Sequence, residues 1–290
     1  MASLARSKVA EDGVLEVRAT RDRGLLLDFL NEDRLFAAYA IADMDDTEFA
    51  RTHWGVAFEN GRTVAVVMEY RGLSPQPLFV MGKPEGVRAA LAQIVRPRVA
   101  YLAAKAEIVP AVAQVYRVDR GAVMVRMSVD RSTFAPVGGD AVRLDAGDTR
   151  HLNRLYELGL TSWLPAESVA SGVYFGIRRG TRLIAAAGTH VISPTYRMAA
   201  VGNVYTDREY RGQGHAKVVT SAVTAELLTR VDEVVLNVRA DNPAALAVYA
   251  ALGYRAHTQF EERLVHRYSS LWDSITQPIK RLMPILRRNG

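Results

Sequence analysis

The feature that most constrains the fold is a series of predicted elements that occurs twice along the chain. Each series begins with two strand-forming runs joined by a tight turn, at Asn60-Gly61 in the first half and at Gly180-Thr181 in the second. Asn-Gly between two β-prone runs is typical of a hairpin, because the turn needs positive φ at both central positions. In each half a short apolar strand, a loop with glycine, a helix and a further strand follow. This alternation predicts an α/β protein built on a mixed sheet.

The two series correspond position by position, with an offset that grows along the chain. Gly61 corresponds to Gly180 at the start and Pro110 to Pro243 near the end, and the second pair is farther apart in the sequence. Loop insertions in the second copy would produce this growth, so the pattern indicates a diverged tandem duplication. The alternative is that two unrelated α/β domains share a common order of elements.

The predicted domain boundary lies in the most linker-like stretch of the middle of the chain, residues 136–140 (Pro-Val-Gly-Gly-Asp). We expect one α/β domain over residues 1–138, a second over residues 139–266, and a basic amphipathic tail over residues 267–290. The Lys and Arg residues of the tail suit anionic lipid or RNA. Packing of the tail onto its own domain or onto a partner subunit is the simpler expectation.

Composition excludes several classes of protein. The 290 residues include no cysteine, which rules out a disulfide framework, a thiolate metal site and a cysteine nucleophile. Hydrophobic residues make up 49% of the chain and charged residues 23%, as in ordinary globular proteins. The net charge of +6 permits an anionic ligand without requiring nucleic acid. Because we find neither a secretory signal nor an apolar run that would span a bilayer, we expect a cytoplasmic protein.

The segment that carries chemistry is residues 202–217, where a predicted strand ends near Thr206 and a long helix begins near Gly214. Glycines at a strand-to-helix turn let the backbone approach a ligand, and the unpaired N–H groups at a helix start attract anions. Arg211 adds a fixed charge that suits phosphate oxygens. The segment therefore predicts a diphosphate site. It lacks both the P-loop pattern and the third glycine of the dinucleotide fingerprint.

Two motifs in this half resemble those of the GNAT acetyltransferase superfamily. Arg211-x-x-Gly214-x-Ala216 is similar to the coenzyme A loop of that superfamily. The second motif comprises an Asn that begins a helix, a Tyr two turns later and a Gly-aromatic pair, here Asn242, Tyr249, Gly253 and Tyr254. The resemblance covers roughly residues 142–265 and implies two tandem GNAT-like domains, of which the second holds the cofactor.

The resemblance also implies an acetyl-CoA donor, no metal, and direct attack of a neutral amine on the acetyl thioester. Backbone groups of the strand would pair with the pantetheine arm, at Val204, Tyr205 and Thr206. Backbone N–H groups of the loop would hold the pyrophosphate, at Arg211, Gly212, Gln213, Gly214, His215 and Ala216. Asn242 would contact the cofactor or cap its helix. Tyr249 would act as general acid on the departing thiolate, because a phenol stays protonated at neutral pH.

The identity of the general base is left open by this resemblance. Several GNAT enzymes carry a Glu or His on the strand before the loop, whereas residues 198–204 contain neither. Asn203 could orient a water molecule but has no basic group. Glu167, His190 and Asp207 are the candidates nearest in the sequence, and solvent is the alternative proton acceptor.

The first copy is predicted to have lost cofactor binding. Residues 83–88 (Lys-Pro-Glu-Gly-Val-Arg) occupy the place of the coenzyme A loop. Pro84 removes a backbone donor, Glu85 repels phosphate, and Arg88 adds bulk where a small residue allows close approach. Val109 replaces the Asn of the second motif. We expect this copy to be structural or to shape the acceptor site.

Three functions remain open at the level of the sequence. The leading one is an N-acetyltransferase that acts on a primary amine of a small molecule or peptide. The alternatives are an N-acyltransferase for longer chains, similar to the glycine N-acyltransferase type, and a non-catalytic acyl-CoA-binding module. In each case we expect no nucleic-acid partner and no transmembrane segment, and a homo-oligomer is compatible with the sequence.

Overall fold

The computed structural model describes residues 15–157 and 164–268, which form one mixed sheet of thirteen strands. The predicted α/β class with a mixed sheet is confirmed. The strands are β1 Leu15–Thr20, β2 Thr52–Glu59, β3 Arg62–Tyr70, β4 Gln76–Gly82, β5 Val99–Ala104, β6 Tyr116–Val118, β7 Ala122–Asp130, β8 Val142–Arg143, β9 Phe175–Arg179, β10 Arg182–Ser193, β11 Met198–Thr206, β12 Glu233–Arg239 and β13 Arg255–Arg267.

Helices connect the strands, and the first and last of them begin with a side-chain cap. The Asp22 side chain accepts a hydrogen bond from the N–H of Leu25 and so caps the first helix. The α-helices are α1 Arg23–Leu30, α2 Ala38–Ala42, α3 Asp46–Phe49, α4 Pro84–Gln93, α5 Val109–Val112, α6 Thr149–Leu155, α7 Ala166–Ser171, α8 His215–Leu227 and α9 Pro243–Ala250. Short 3-10 turns occur at Asn31–Asp33, Ala106–Ile108, Ala146–Asp148 and Arg208–Tyr210.

The two halves of the chain exchange strands within the sheet. The strand order is β1-β2-β3-β4-β5-β13-β7-β12-β11-β10-β9-β8, with β6 paired to β13. Strand β7, which comes from the first half of the sequence, therefore lies between β12 and β13 of the second half. Strand β13 in turn pairs with β5 and β6 of the first half. The exchange joins both halves through backbone hydrogen bonds, while the predicted boundaries at 138/139 and 266/267 stay predictions.

Both predicted hairpins are present. Strands β2 and β3 are joined at Asn60 and Gly61, whose φ angles of 52° and 76° are those of a turn with two left-handed residues. Strands β9 and β10 are joined at Gly180, with φ of 59°. These turns set the register of the first two long strands in each half.

Alternation along the strands directs side chains to two faces of the sheet. Ala200 and Val235 pack with helices α1 and α2, whereas Val201 and Leu236 pack on the other face with helix α8. Helix α2 of the first half lies against β10 and β11 of the second half. The first half therefore covers one face of the second half's sheet.

The repeat is less regular in the structure than in the sequence. Pro110 and Pro243 both lie in the first turn of a helix, as predicted. Tyr249 lies on α9, whereas its sequence counterpart Tyr116 lies on strand β6 and is buried. The difference arises because α5 ends at Val112 and the chain then turns to pair with β13.

Predictions from the sequence also concern the C-terminal tail and membrane-spanning segments. The amphipathic tail lies outside the described residues from position 269 onward. Within residues 15–157 and 164–268, no helix combines the length and apolarity that crossing a bilayer requires.

Candidate active site

Strands β11 and β12 separate halfway along their length. They pair in parallel only from Met198↔Glu233 to Val201↔Leu236, and β11 then continues without β12 as a neighbour. The backbone of Val204, Tyr205 and Thr206 therefore has an open edge on that side, and these residues are half-buried. Unpaired backbone groups at such an edge are free to pair with an extended ligand. We call this opening the splay.

Asn203 marks the point where the two strands part. Its φ of 54° is unusual for a residue other than glycine. The register between β10 and β11 shifts here by one extra residue on β11, which re-aims the neighbouring side chains. Tyr156 donates a hydrogen bond to the Asn203 carbonyl at 2.8 Å, and the Asn203 amide donates to the Tyr174 hydroxyl at 3.1 Å. These bonds hold the strained backbone in place.

The loop between β11 and α8 presents a run of backbone N–H groups that are free to donate hydrogen bonds. Gly212 and Gly214 have φ of 77° and 82°, and open space lies where a side chain would begin. Over the described part of the chain, the N–H groups of residues 212–217 donate to no protein acceptor. Because the positive end of the α8 dipole lies at the same place, the loop suits an anion of phosphate type.

The start of the loop is fixed by ion pairs and local hydrogen bonds. The Asp207 carboxylate pairs with Arg182 and accepts the N–H of Glu209 at 3.2 Å. The Arg211 side chain donates through Nε to the Thr206 carbonyl at 3.1 Å and lies 5.6 Å from the centre of the Tyr205 ring. The positive charge of Arg211 is thus held where the strand ends.

Two buried polar atoms at this loop fit the presence of a ligand. Thr206 Oγ1 and His215 Nε2 are both shielded from solvent and have no hydrogen-bond partner in the described ranges. Buried polar groups are nearly always satisfied in folded proteins, so such atoms require an explanation. Together with the open edge of β11, these residues fit a coenzyme A molecule. Side chains suited to a metal ion do not gather in groups of three anywhere in residues 15–157 and 164–268.

Tyr249 lies on α9 in the core cluster that also contains Val201 and Val219. Its side chain is 8% exposed, and burial raises the pKa of its hydroxyl to about 12. The hydroxyl makes no hydrogen bond to any described residue, and the ring lies edge-on to Tyr254 with centres 6.1 Å apart. Tyr249 is therefore a protonated phenol whose donor is unused by the protein.

Asn242 caps helix α9. Its side-chain oxygen accepts the N–H of Ala245 at 3.1 Å, and Pro243 follows in the first turn. The capping alternative of the sequence analysis is what the structure contains. A contact between Asn242 and the cofactor stays a prediction.

A set of polar side chains lines the other face of the splay, beneath helix α2. The residues come from five strands and one helix of both halves, and we call them the polar cluster: Tyr39, Arg126, His190, Asn203, Asn237 and Glu262. Only His190 and Asn203 of this cluster could be named from the sequence. No local spacing connects the other four, because the strand exchange and the packing of α2 bring them together.

His190 is the base candidate that the structure places beside Asn203. Its Nε2 is 3.4 Å from Asn203 Oδ1 and its Nδ1 is 3.0 Å from the Tyr39 hydroxyl. The imidazole fills the space that Gly202 leaves free. The ring reaches solvent, yet burial among neighbouring groups, aided by the positive charge of Arg126, lowers the pKa of His190. It is therefore neutral at pH 7.

The other two base candidates are placed less favourably. Asp207 is tied to Arg182 at the loop, as described above. Glu167 is exposed in the first turn of α7, and its carboxylate makes no hydrogen bond or ion pair in the described residues. Neither side chain belongs to the polar cluster.

The first copy lacks the cofactor loop. A single residue, Lys83, separates β4 from α4, and its ammonium pairs with Glu59 at 2.5 Å. Pro84 opens the helix without an N–H group. At Gly86 an added Cβ would lie 2.8 Å from the Cβ of Ala65, so the helix packs directly on the sheet. This short connection has no glycine-rich loop like that of residues 211–216, and its first helical residue is a proline without an N–H group.

Comparison with known proteins agrees with this architecture. Residues 174–264 match the family described as FR47-like protein. No curated protein sequence matches the chain. A Drosophila protein of known structure is 16% identical, with 88% of this chain and 99% of that chain aligned and a TM-score of 0.64. A tandem GNAT protein from the clavulanic acid biosynthesis pathway is 16% identical over 89% and 100% of the two chains, with a TM-score of 0.55.

A third structure, a GCN5-related N-acetyltransferase from Sphaerobacter thermophilus, is 12% identical over 88% of this chain and 97% of that chain, with a TM-score of 0.57. Likeness at these identities establishes the fold. The chain has the GNAT fold in a tandem arrangement, and the resemblance predicted from the two motifs is confirmed.

Proposed function

We propose that the protein is an acetyl-CoA-dependent N-acetyltransferase that transfers the acetyl group directly to a primary amine of a small molecule or peptide. The observation that carries the proposal is the run of free N–H groups at residues 212–217, which follows the open edge of β11. The free N–H groups suit the diphosphate of coenzyme A. The unpaired strand edge beside them suits its extended pantetheine arm.

The second half would hold the cofactor through its backbone. The N–H groups of residues 212–217 would bind the pyrophosphate, with Arg211 beside them. The backbone of residues 204–206 would pair with the pantetheine arm along the splay. When bound, acetyl-CoA supplies an activated acetyl thioester. Asn242 would add a contact through the amide nitrogen that capping leaves free.

Tyr249 would donate the proton that the departing sulfur needs. Because burial raises the pKa of Tyr249 to about 12, the phenol keeps its proton throughout the neutral range. A donor of this kind contributes typically about 10²- to 10⁴-fold to a rate.

His190 would accept the proton that frees the amine. In the tautomer with hydrogen on Nε2, His190 donates to Asn203 Oδ1, and its Nδ1 lone pair accepts the hydroxyl hydrogen of Tyr39. Asn203 Oδ1 would orient a water molecule that links the amine to the Tyr39 hydroxyl, through which the proton reaches Nδ1. Its lowered pKa keeps His190 neutral and ready to accept.

The proton balance of the transfer closes with these two residues. The ammonium gives one proton to His190, and its nitrogen then bonds to the acetyl carbon. The carbon–sulfur bond breaks, its electron pair stays on sulfur, and sulfur takes the proton of Tyr249. The nitrogen releases its second proton to solvent, His190 does the same, and the phenolate regains a proton from solvent.

The test is amine-dependent release of free coenzyme A, followed with a thiol reagent. The chain contains no cysteine, so the protein itself gives no background in this assay. We expect release that requires both acetyl-CoA and a primary amine. Binding of acetyl-CoA without release by any small amine or peptide would instead favour a binding module.

A further inference from the structure

Arg126 on strand β7 is a buried cation with hydrogen-bond donors that no described residue uses. Its side chain is 2% exposed, and two of its donors, Nε and Nη1, are buried without a hydrogen-bond partner. Among the described residues, no carboxylate lies within ion-pair distance of it. Burial of an unpaired charge is strongly unfavourable, so such a group is expected to have an anionic partner in the working protein.

The guanidinium is held firmly in one orientation. Nη2 donates to the Phe36 carbonyl at 3.2 Å, and the group lies 4.7 Å from the ring centre of Tyr39 and 5.2 Å from that of Phe260. Burial lowers the pKa of Arg126, but a guanidinium keeps its proton at neutral pH. A fixed guanidinium with free N–H groups at Nε and Nη1 can donate a charge-assisted hydrogen bond to a carboxylate from either atom.

Arg126 lies one strand away from the splay. It is the register partner of Asn237 on β12, and Asn237 is the first residue of β12 beyond the segment that pairs with β11. Neighbouring strands are about 4.8 Å apart. An amine that reaches the splay therefore brings a carboxylate on the same small molecule within reach of Arg126.

The ammonium group of a small amino acid would also find hydrogen-bond acceptors here. Asn237 Oδ1 is buried without a partner, and the Asn237 amide donates to Glu262 at 3.3 Å. Burial raises the pKa of Glu262, while Arg126 and the Asn237 hydrogen bond act to lower it. Glu262 makes no ion pair with Arg126 in the described residues, so both remain available to a zwitterion.

We infer that the acceptor is an amino acid, an amine that also bears a carboxylate, and that Arg126 binds this carboxylate through a free N–H group at Nε or at Nη1. The inference rests on the proposed function and names the substrate class of the same site. An amine without a carboxylate would leave Arg126 unpaired, and sites built to pair a polar group reject ligands that lack it.

The test compares matched pairs of acceptors: the common amino acids and the amines that lack their carboxylate, such as L-leucine with 3-methylbutylamine and L-phenylalanine with 2-phenylethylamine. We expect the wild type to prefer at least one amino acid to its amine by about 100-fold or more in kcat/KM. In Arg126→Met this preference should fall to near unity, and Arg126→Lys should retain part of it. Arg131→Met, at an exposed arginine outside the cluster, serves as the control.

Three results would overturn the inference: acetylation of amines with no preference for a carboxylate, an equal loss for both members of a pair in Arg126→Met, or no acetylation of any amino acid while acetyl-CoA still binds. Failure of acetyl-CoA to bind in calorimetry would instead remove the proposed function. If Arg126→Met does not fold, the preference of the wild type decides on its own.

Discussion

At the scale of single residues, Tyr249 is the clearest test of the proposed chemistry. Tyr249→Phe removes only the hydroxyl, which makes no hydrogen bond within the described residues, so the core around the ring should stay intact. We expect turnover to fall at least about tenfold with acetyl-CoA affinity nearly unchanged. Steady-state kinetics with calorimetry on the same preparation measures both. Unchanged turnover with an identified amine would show that another group protonates the sulfur.

The protonation of His190 should determine how activity falls on the acid side of the pH profile. Burial and Arg126 lower the pKa of His190 below its ordinary value of 6.5, and only the neutral ring accepts a proton. Activity should therefore be constant at neutral pH and fall as the pH drops through this lowered pKa. His190→Gln should reduce kcat/KM by about 10²-fold or more and remove this limb of the profile. A profile that His190→Gln leaves unchanged would assign the proton to solvent.

Some residues of the candidate site could be predicted from the sequence, and others could not. Arg211, Gly214 and Tyr249 could be named because contiguous motifs carry them. Arg126 and Glu262 could not, since each lies on an exchanged strand whose neighbours are far away in the sequence. A buried arginine on a strand gives no local pattern by which to find its role.

At the scale of elements, the turn before α8 should matter for the cofactor more than for stability. Gly214 has φ of 82° in open space, so Gly214→Ala should cost about 1–2 kcal/mol of folding free energy through its backbone alone. The loop would relax, and acetyl-CoA affinity should fall at least about tenfold. Gly180→Ala, at a turn with φ of 59° and equally open, is the matched control.

The control should show a similar stability cost in chemical denaturation with unchanged affinity in calorimetry. Equal affinities in both variants would mean that the loop conformation does not serve the cofactor. Elements such as these turns and α8 could be predicted because glycine and apolar periodicity are local properties. Tyr116 on β6 could not, because its strand exists only through pairing with β13.

At the scale of the whole molecule, the strand exchange predicts that the second half does not fold alone. A fragment of residues 139–290 would lose β7, which exposes the edge of β12, and it would lose all three described strands that pair with β13, namely β5, β6 and β7. We expect this fragment to aggregate or to lack a cooperative thermal transition, and coexpression with residues 1–138 to restore a stable pair. A monomeric, cooperatively folded fragment that binds acetyl-CoA would contradict this.

The strand exchange also explains why the tandem arrangement could be predicted from the sequence. It equally explains why the site that both copies build, the splay with its polar cluster, could not. Element order is repeated in the sequence, so two copies could be recognised. Which copy supplies the strand beside β12 depends on pairing between distant segments, and α2 reaches the splay only because the halves are joined. The first copy thus contributes Tyr39 and Arg126 to the site that the second copy opens.

The most direct measurement is calorimetric titration of the protein with acetyl-CoA, alongside free coenzyme A and NAD. We expect acetyl-CoA binding in the micromolar range, lost or weakened at least about tenfold in Arg211→Glu, where the new charge faces the phosphates. Lys83→Glu, at the corresponding place in the first copy, should bind as the wild type does. Absence of acetyl-CoA binding, or equal binding in Arg211→Glu, would contradict a cofactor site in the second half.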